Sequence, residues 1–225
     1  MAAAPGVIDR TSPRAGLGIA SAAALAATAG DLLMLLVANS LRAESGLRPP
    51  ALALPVGGAL GVVAIPLYAL GYRAVARAIG PGSPKLSRVV QLSGAAAAGI
   101  GALIHAATAL AIRAAVASSA PAETPLAAVA QAGAPLLAAW GAASLFVLAA
   151  SLANLAAPGA RRPGSPRALA WLNPAVLTLL LGAAGLAFES GRNYLVPAAP
   201  NLAHVVFFAA WGYALAEPRR APLFP

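Results

Sequence analysis

The chain has 225 residues, of which 60% are apolar and only 9% charged, with a formal net charge of +9 and no cysteine. A soluble domain carries roughly 25% charged residues, so this deficit, with a mean hydropathy of +0.80, excludes an ordinary soluble domain. The absence of cysteine excludes disulfides, thiolate catalysis, cysteine-ligated zinc and lipoprotein acylation. A soluble chain this basic would suggest nucleic acid. Here the basic residues cluster in short links between apolar runs, which reads as topology control, and no nucleic-acid partner is expected.

Residues 1–14 read as a short disordered tail carrying Pro5, Asp9, Arg10, Ser12, Pro13 and Arg14. The run from Ala15 to Asn39 follows. Its first half, ending in AATA at Ala29, has the look of a signal peptide with a small-residue cleavage site. The apolar run continues through Leu32, Leu33, Met34, Leu35, Leu36 and Val37, which favours an uncleaved first membrane helix. Five further spans are expected at Ala51–Ala74, Val89–Val116, Leu126–Ala156, Leu169–Phe188 and Leu195–Ala216, with Pro135 a candidate kink in the fourth. Each meets the length of about 20 residues needed to cross roughly 30 Å of hydrocarbon. The links SGLRPP, GPGSP, SSAPAETP, PGARRPGSP and ESGRN are rich in turn formers and too short for a soluble domain.

Residues 15–216 are therefore expected to form a single all-α bundle of six transmembrane helices, with a short tail at 217–225. One side collects Arg10, Arg14, Arg73, Arg77, Lys85, Arg88, Arg161, Arg162, Arg167, Arg219 and Arg220; the other has Arg42, Arg48, Arg113 and Arg192. The more basic side should be cytoplasmic, which places both termini inside and the protein in a bacterial inner (plasma) membrane, crossing it several times among membrane lipids.

Polar residues inside the spans are few, and their helical phase is informative. Asp31 shares a face with Ala24, Ala27 and Thr28, while Leu25, Leu32 and Leu36 lie on another side. His105 is in line with Gly94, Ala98, Gly101 and Thr108, and Glu189 with Thr178, Gly182 and Gly185. Small residues mark helix–helix contact in membranes, so Asp31, His105 and Glu189 are expected on packing faces. Gly57 and Gly61 form a GxxxG; an internal contact is the favoured reading and an oligomer interface the lesser one. Asn201 and His204 share a face at the start of the last span. With both termini inside, Asp31, His105, Gln131, Glu189, Asn201 and His204 all fall in the outer half, whereas the inner half holds Gln91, Ser151, Asn154 and Asn173.

An Asp at a helix centre costs about 2.5–3.5 kcal/mol on insertion scales, and an intramembrane acid reads by default as functional. One shared site is expected, with Asp31, His105 and His204 as catalytic or proton-handling candidates and Asn201, Gln131 and Glu189 as further ligand-binding candidates. In it a neutral imidazole would donate to Asp31 and keep its other nitrogen free, and Asn201 would orient the His204 ring. The bland reading is a set of separate interhelical hydrogen bonds. For Glu189, beside Ser190, Arg192 and Asn193, a surface role is the stronger reading. The tryptophans Trp140, Trp171 and Trp211, with Tyr194 and Tyr213, read as interfacial or packing aromatics.

The sequence has no HExxH, no GxSxG and no transmembrane lysine to hold retinal. Two histidines with Asp31 leave a facial metal site or an axially ligated haem open, though neither is favoured. The segments GDLLMLL (Gly30–Leu36), IPLYALGYRAV (Ile65–Val75), ALIHAA (Ala102–Ala107) and NLAHVVFF (Asn201–Phe208) give the layout a resemblance to small bacterial six-helix integral membrane proteins of unknown function. That resemblance implies no activity. The first functional expectation is a module binding or transporting a small lipophilic ligand. The alternatives are an intramembrane enzyme acting on a lipid or isoprenoid-like substrate, a b-type haem protein, and a non-catalytic assembly factor.

Overall fold

The computed structural model describes residues 12–41, 46, 48–118, 133–157 and 168–216, and among them there is helix but no strand. Helix α1 spans Pro13–Ser40. Pro13 lies in its first turn, where the missing N–H breaks no helical bond, and the Ser12 hydroxyl accepts from the Ala15 amide at 3.2 Å. The helix runs unbroken through AATA and Gly30, so Asp31 lies inside it. Helices α2 (Ala53–Ala64) and α3 (Tyr68–Ile79) form one rod interrupted by a 3₁₀ turn at Ile65–Leu67. The cause is Pro66, which removes one N–H from the helical ladder. A second 3₁₀ turn, Gly80–Gly82, leads into α4 (Pro84–Ser118), and the Ser87 hydroxyl donates to the Ala76 carbonyl at 2.7 Å across that corner.

Helix α5 covers Ala134–Ala156. Pro135 lies in its first turn, so the proline expected to kink this span opens a helix instead. The expected start at Leu126 lies outside the described residues. The expected fifth span is divided into a single turn, α6 (Ala168–Trp171), and the shorter α7 (Pro174–Leu186). Asn173 makes the break: its side chain accepts from the Val176 amide at 3.1 Å as the cap of α7, with Pro174 behind it, and donates to the Ala170 carbonyl at 3.1 Å. A wide π turn, Gly191–Leu195, then enters α8 (Val196–Ala216).

Five helical stretches among the described residues are long and apolar enough to cross a membrane: Pro13–Ser40, Ala53–Gly82, Pro84–Ala117, Ala134–Ala156 and Gly191–Ala216. The surface agrees with an apolar solvent. Large aliphatic side chains face out, Leu103 at 71% and Leu179 at 73% exposure, while Ala20, Ala24 and Ala27 are fully buried. A water-soluble fold would avoid so much exposed apolar surface. The chain is thus a multi-pass apolar helical bundle.

Helix α1 lies between α2 and α8. On one side the backbones of α1 and α2 touch: a Cβ on Gly57 would come within 2.7 Å of the Gly30 carbonyl oxygen. Gly57 and Gly61 are both buried inside the bundle. On the other side α1 and α8 run antiparallel in register. The Arg14 guanidinium donates to the Leu215 carbonyl at 2.6 and 2.9 Å, Asn201 meets Asp31 midway, and Asn39 donates to the Asn193 carbonyl at 3.5 Å. The start of α1 and the end of α8 therefore lie together, and Asp31 is nearer the opposite end. The main core is small residues from α1 against the aromatics Tyr68, Tyr72, Phe207 and Phe208.

Candidate functional site

Phase on α1 is as expected from the sequence: Ala24, Ala27 and Thr28 are buried, and Leu25 and Leu32 are exposed. Asp31 borders the buried face, with 13% of its side chain exposed. Its Oδ2 accepts from Asn201 Nδ2 at 2.7 Å. Its Oδ1 is 3.4 Å from Nδ1 of His105, whose side chain is 4% exposed. His105 Nε2 donates to the Gly57 carbonyl at 3.0 Å; a carbonyl only accepts, so this nitrogen carries hydrogen. Gly61 makes room for the ring, because a Cβ there would overlap the imidazole. The Tyr68 hydroxyl donates to Asn201 Oδ1 at 2.7 Å, which fixes the amide with its NH₂ toward the carboxylate. One carboxyl group thus gathers groups from α1, α4 and α8, with α2 and α3 supplying the outer partners.

A second layer lies behind Tyr68. The Tyr68 ring stacks on His204 with centroids 4.8 Å apart. His204 Nδ1 donates to the Pro200 carbonyl at 2.7 Å, one turn back on α8, and Nε2 accepts from the Tyr72 hydroxyl at 2.8 Å. The Pro200 carbonyl fixes a hydrogen on Nδ1, so a neutral ring presents Nε2 as the acceptor for the Tyr72 hydroxyl. Tyr72 is seated against Gly94 of α4, where a side chain would overlap its ring.

Of the expected site residues, the structure brings Asp31, His105 and Asn201 into contact. His204 stands one layer away, reached through Tyr68. The expectation that Asn201 orients His204 is corrected: Asn201 serves Asp31 and Tyr68, and the His204 ring is held by Tyr72 and the Pro200 carbonyl. The expected free imidazole nitrogen is also corrected, since both nitrogens of His204 are bonded and His105 Nε2 is held by Gly57. Glu189 is exposed, because α7 ends at Leu186 and the phase that aligned it with Thr178 and Gly185 stops there. It lies twelve residues before Asn201, about 18 Å along a helix axis. Gln131 lies outside the described residues.

Tyr68 and Tyr72 were not among the expected site residues. Their spacing of four on a membrane helix, just past Pro66, is the signal that points to them: it puts two hydroxyls on one face where hydrocarbon demands partners. The Gly57 carbonyl leaves no such mark in sequence.

A family model described as a family of unknown function, DUF6796, matches residues 14–216. The chain belongs to this family. The DUF6796 match runs from Arg14 to Ala216, whose carbonyl oxygen lies 3.4 Å from the Arg14 guanidinium, and so includes every helix that builds the site. No curated protein and no solved structure matches the chain. Among the described residues no three His, Cys, Asp or Glu side chains are grouped to hold a metal ion.

Proposed function

We propose that this DUF6796 protein binds a small lipophilic molecule with a polar head at the Asp31–His105–Asn201 cluster. The observation that carries this reading is a carboxyl group set inside α1 with two polar contacts and an exposed edge; by general magnitudes those contacts do not offset the cost of placing it there. Its two links, to Asn201 and His105, are worth about 0.6 kcal/mol each by membrane double-mutant cycles. The insertion cost of an Asp is about 2.5–3.5 kcal/mol, so a bundle selected for stability alone would do better with an apolar residue. The loosest link also lies at the carboxylate. The Asp31–His105 approach is 3.4 Å, whereas the hydrogen bonds around it are 2.7–3.0 Å. Asp31 also keeps its small exposed fraction, which gives a ligand dissolved in the bilayer an edge to approach.

The acid–base enzyme and haem readings gain nothing from this geometry, because His105 Nε2 and both nitrogens of His204 are already committed. Six passes complete the proposal. The pairing of Arg14 with Leu215 puts the two helix ends on one side, which calls for an even number of crossings. Five long stretches are even only with α7 counted as a sixth. The basic residues then favour the cytoplasm for both ends.

The test is untargeted mass spectrometry of what copurifies with the protein. A small lipophilic species is expected with the wild type and with Ser190→Ala, and depleted from folded Asp31→Asn. Identical small-molecule content in all three would refute the binding site.

A further inference from the structure

We infer that the head group taken by the Asp31 site is a protonated amine, bound in one-for-one exchange with the proton held between Asp31 and His105. This rests on the ligand-site reading above and adds the class of ligand and its coupling to protons. The argument comes from counting hydrogens. The groups facing Asp31 are His105 from α4, Asn201 from α8 and, through Asn201, Tyr68 from α3. Tyr72 and His204 form the layer behind. The hydrogens of Tyr68, Tyr72 and the His204 ring are all directed to acceptors other than Asp31.

His105 Nε2 donates to Gly57, so its Nδ1 is a bare acceptor whenever the ring is neutral. Nδ1 and Asp31 Oδ1 face each other at 3.4 Å, and one hydrogen must lie between them. It is either the hydrogen of an imidazolium beside a carboxylate or that of a carboxylic acid beside an imidazole. Both forms are net neutral. Removing the hydrogen leaves two opposed lone pairs and a net negative charge in a site walled by hydrocarbon, which is costly.

A replacement for that proton therefore needs one positive charge and at least one N–H. A lipophilic amine has both; an alcohol lacks the charge, and a quaternary ammonium lacks the N–H. Amine and proton together would leave a buried net positive charge, so binding is an exchange. The ammonium enters, the carboxylate of Asp31 accepts it, His105 becomes neutral, and one proton leaves to water. The carboxylate has room for the new bond, because about four lone-pair positions serve an ionised carboxyl and, once His105 is neutral, Asn201 alone donates to it, so the ammonium hydrogens can serve both Oδ1 and the bare Nδ1.

The experiment uses purified full-length protein in a neutral detergent, weakly buffered, with a pH-indicating dye. The probes are decylamine, decanol and decyltrimethylammonium, with Asp31→Asn as the blank for partition into detergent. Decylamine is fully protonated between pH 5 and 8, since an alkylamine titrates near 10.4, so any proton released comes from the protein. The expected result is saturable decylamine binding with one proton released per amine, and an apparent affinity that rises about tenfold per pH unit. Decyltrimethylammonium and decanol should bind more weakly. Decylamine and decanol binding alike with no proton release would overturn the exchange while leaving the ligand site standing. Equal binding of decyltrimethylammonium would overturn the N–H requirement. Saturable binding of none of the three by folded protein would overturn both this inference and the site reading beneath it.

Discussion

Asn154, on α5, is 1% exposed, and among the described residues neither its amide nitrogen nor its amide oxygen has a hydrogen-bond partner. A buried polar group without a partner costs about 1–3 kcal/mol. By contrast Ser151, one turn earlier, accepts from the Ala175 amide at 3.2 Å and helps tie α5 to α7. Asn154→Leu, close in volume, should therefore raise stability by about 1 kcal/mol, less than the full penalty because the branched end must repack. Thermal unfolding in detergent followed by size-exclusion recovery reads this directly. A lower midpoint for Asn154→Leu would mean that its amide is engaged after all. Asp31 differs in kind from Asn154, because its carboxyl group is satisfied by two neighbours and still accessible at one edge.

Between elements, the site depends on how closely α4 approaches α2. The His105 ring occupies the space over Gly61, and its Nε2 reaches the carbonyl of Gly57 one turn away. A methyl at position 61 cannot coexist with the ring where it is, and imidazole has no flexible end to retract. Gly61→Ala should cost about 1–3 kcal/mol, as overpacking of a closed interface does. His105→Ala removes the obstacle, so the two substitutions should be strongly non-additive, with the double variant more stable than the sum of the singles implies. Additive losses in the same unfolding assay would place the strain of Gly61→Ala elsewhere. The glycine pair thus shapes a site as well as bringing helices close.

On the scale of the whole molecule, the pairing of Arg14 with the end of α8 brings the start of α1 and the end of α8 to one end of the bundle. If α7 crosses, the corner at Ser83 and the turn at Ser190 lie on opposite sides. The chain has no cysteine, so Ser83→Cys and Ser190→Cys can each be probed alone with an impermeant thiol reagent. Ser190→Cys should label from outside intact cells and Ser83→Cys only after lysis. Labelling of both from the same side would remove α7 as a crossing, and the reverse pattern would invert the orientation.

The sequence by itself determined the solvent of this protein and the faces of its helices. Composition set an apolar environment, and helical phase alone separated Ala24, Ala27 and Thr28 from Leu25 and Leu32, because the 3.6-residue repeat is a property of the isolated helix. It likewise pointed to Asp31, His105 and Asn201 as residues needing partners. Where a helix stops was less legible: Pro135, expected as a kink, lies in the first turn of α5, and Asn173 became a cap only because Pro174 and Val176 follow it in the right geometry. Which partners met was decided by tertiary structure alone. The antiparallel register of α1 on α8 put Asn201, not His204, on Asp31; the closeness of α4 to α2 turned a backbone carbonyl at Gly57 into the partner of His105. A backbone acceptor has no residue-type signature, and interhelical register is a property of two helices together, so neither is written in the phase of one. The hydrogen between Asp31 and His105 follows from both at once: the sequence supplied the two groups, and the Gly57 carbonyl determined which nitrogen was left to face the carboxyl.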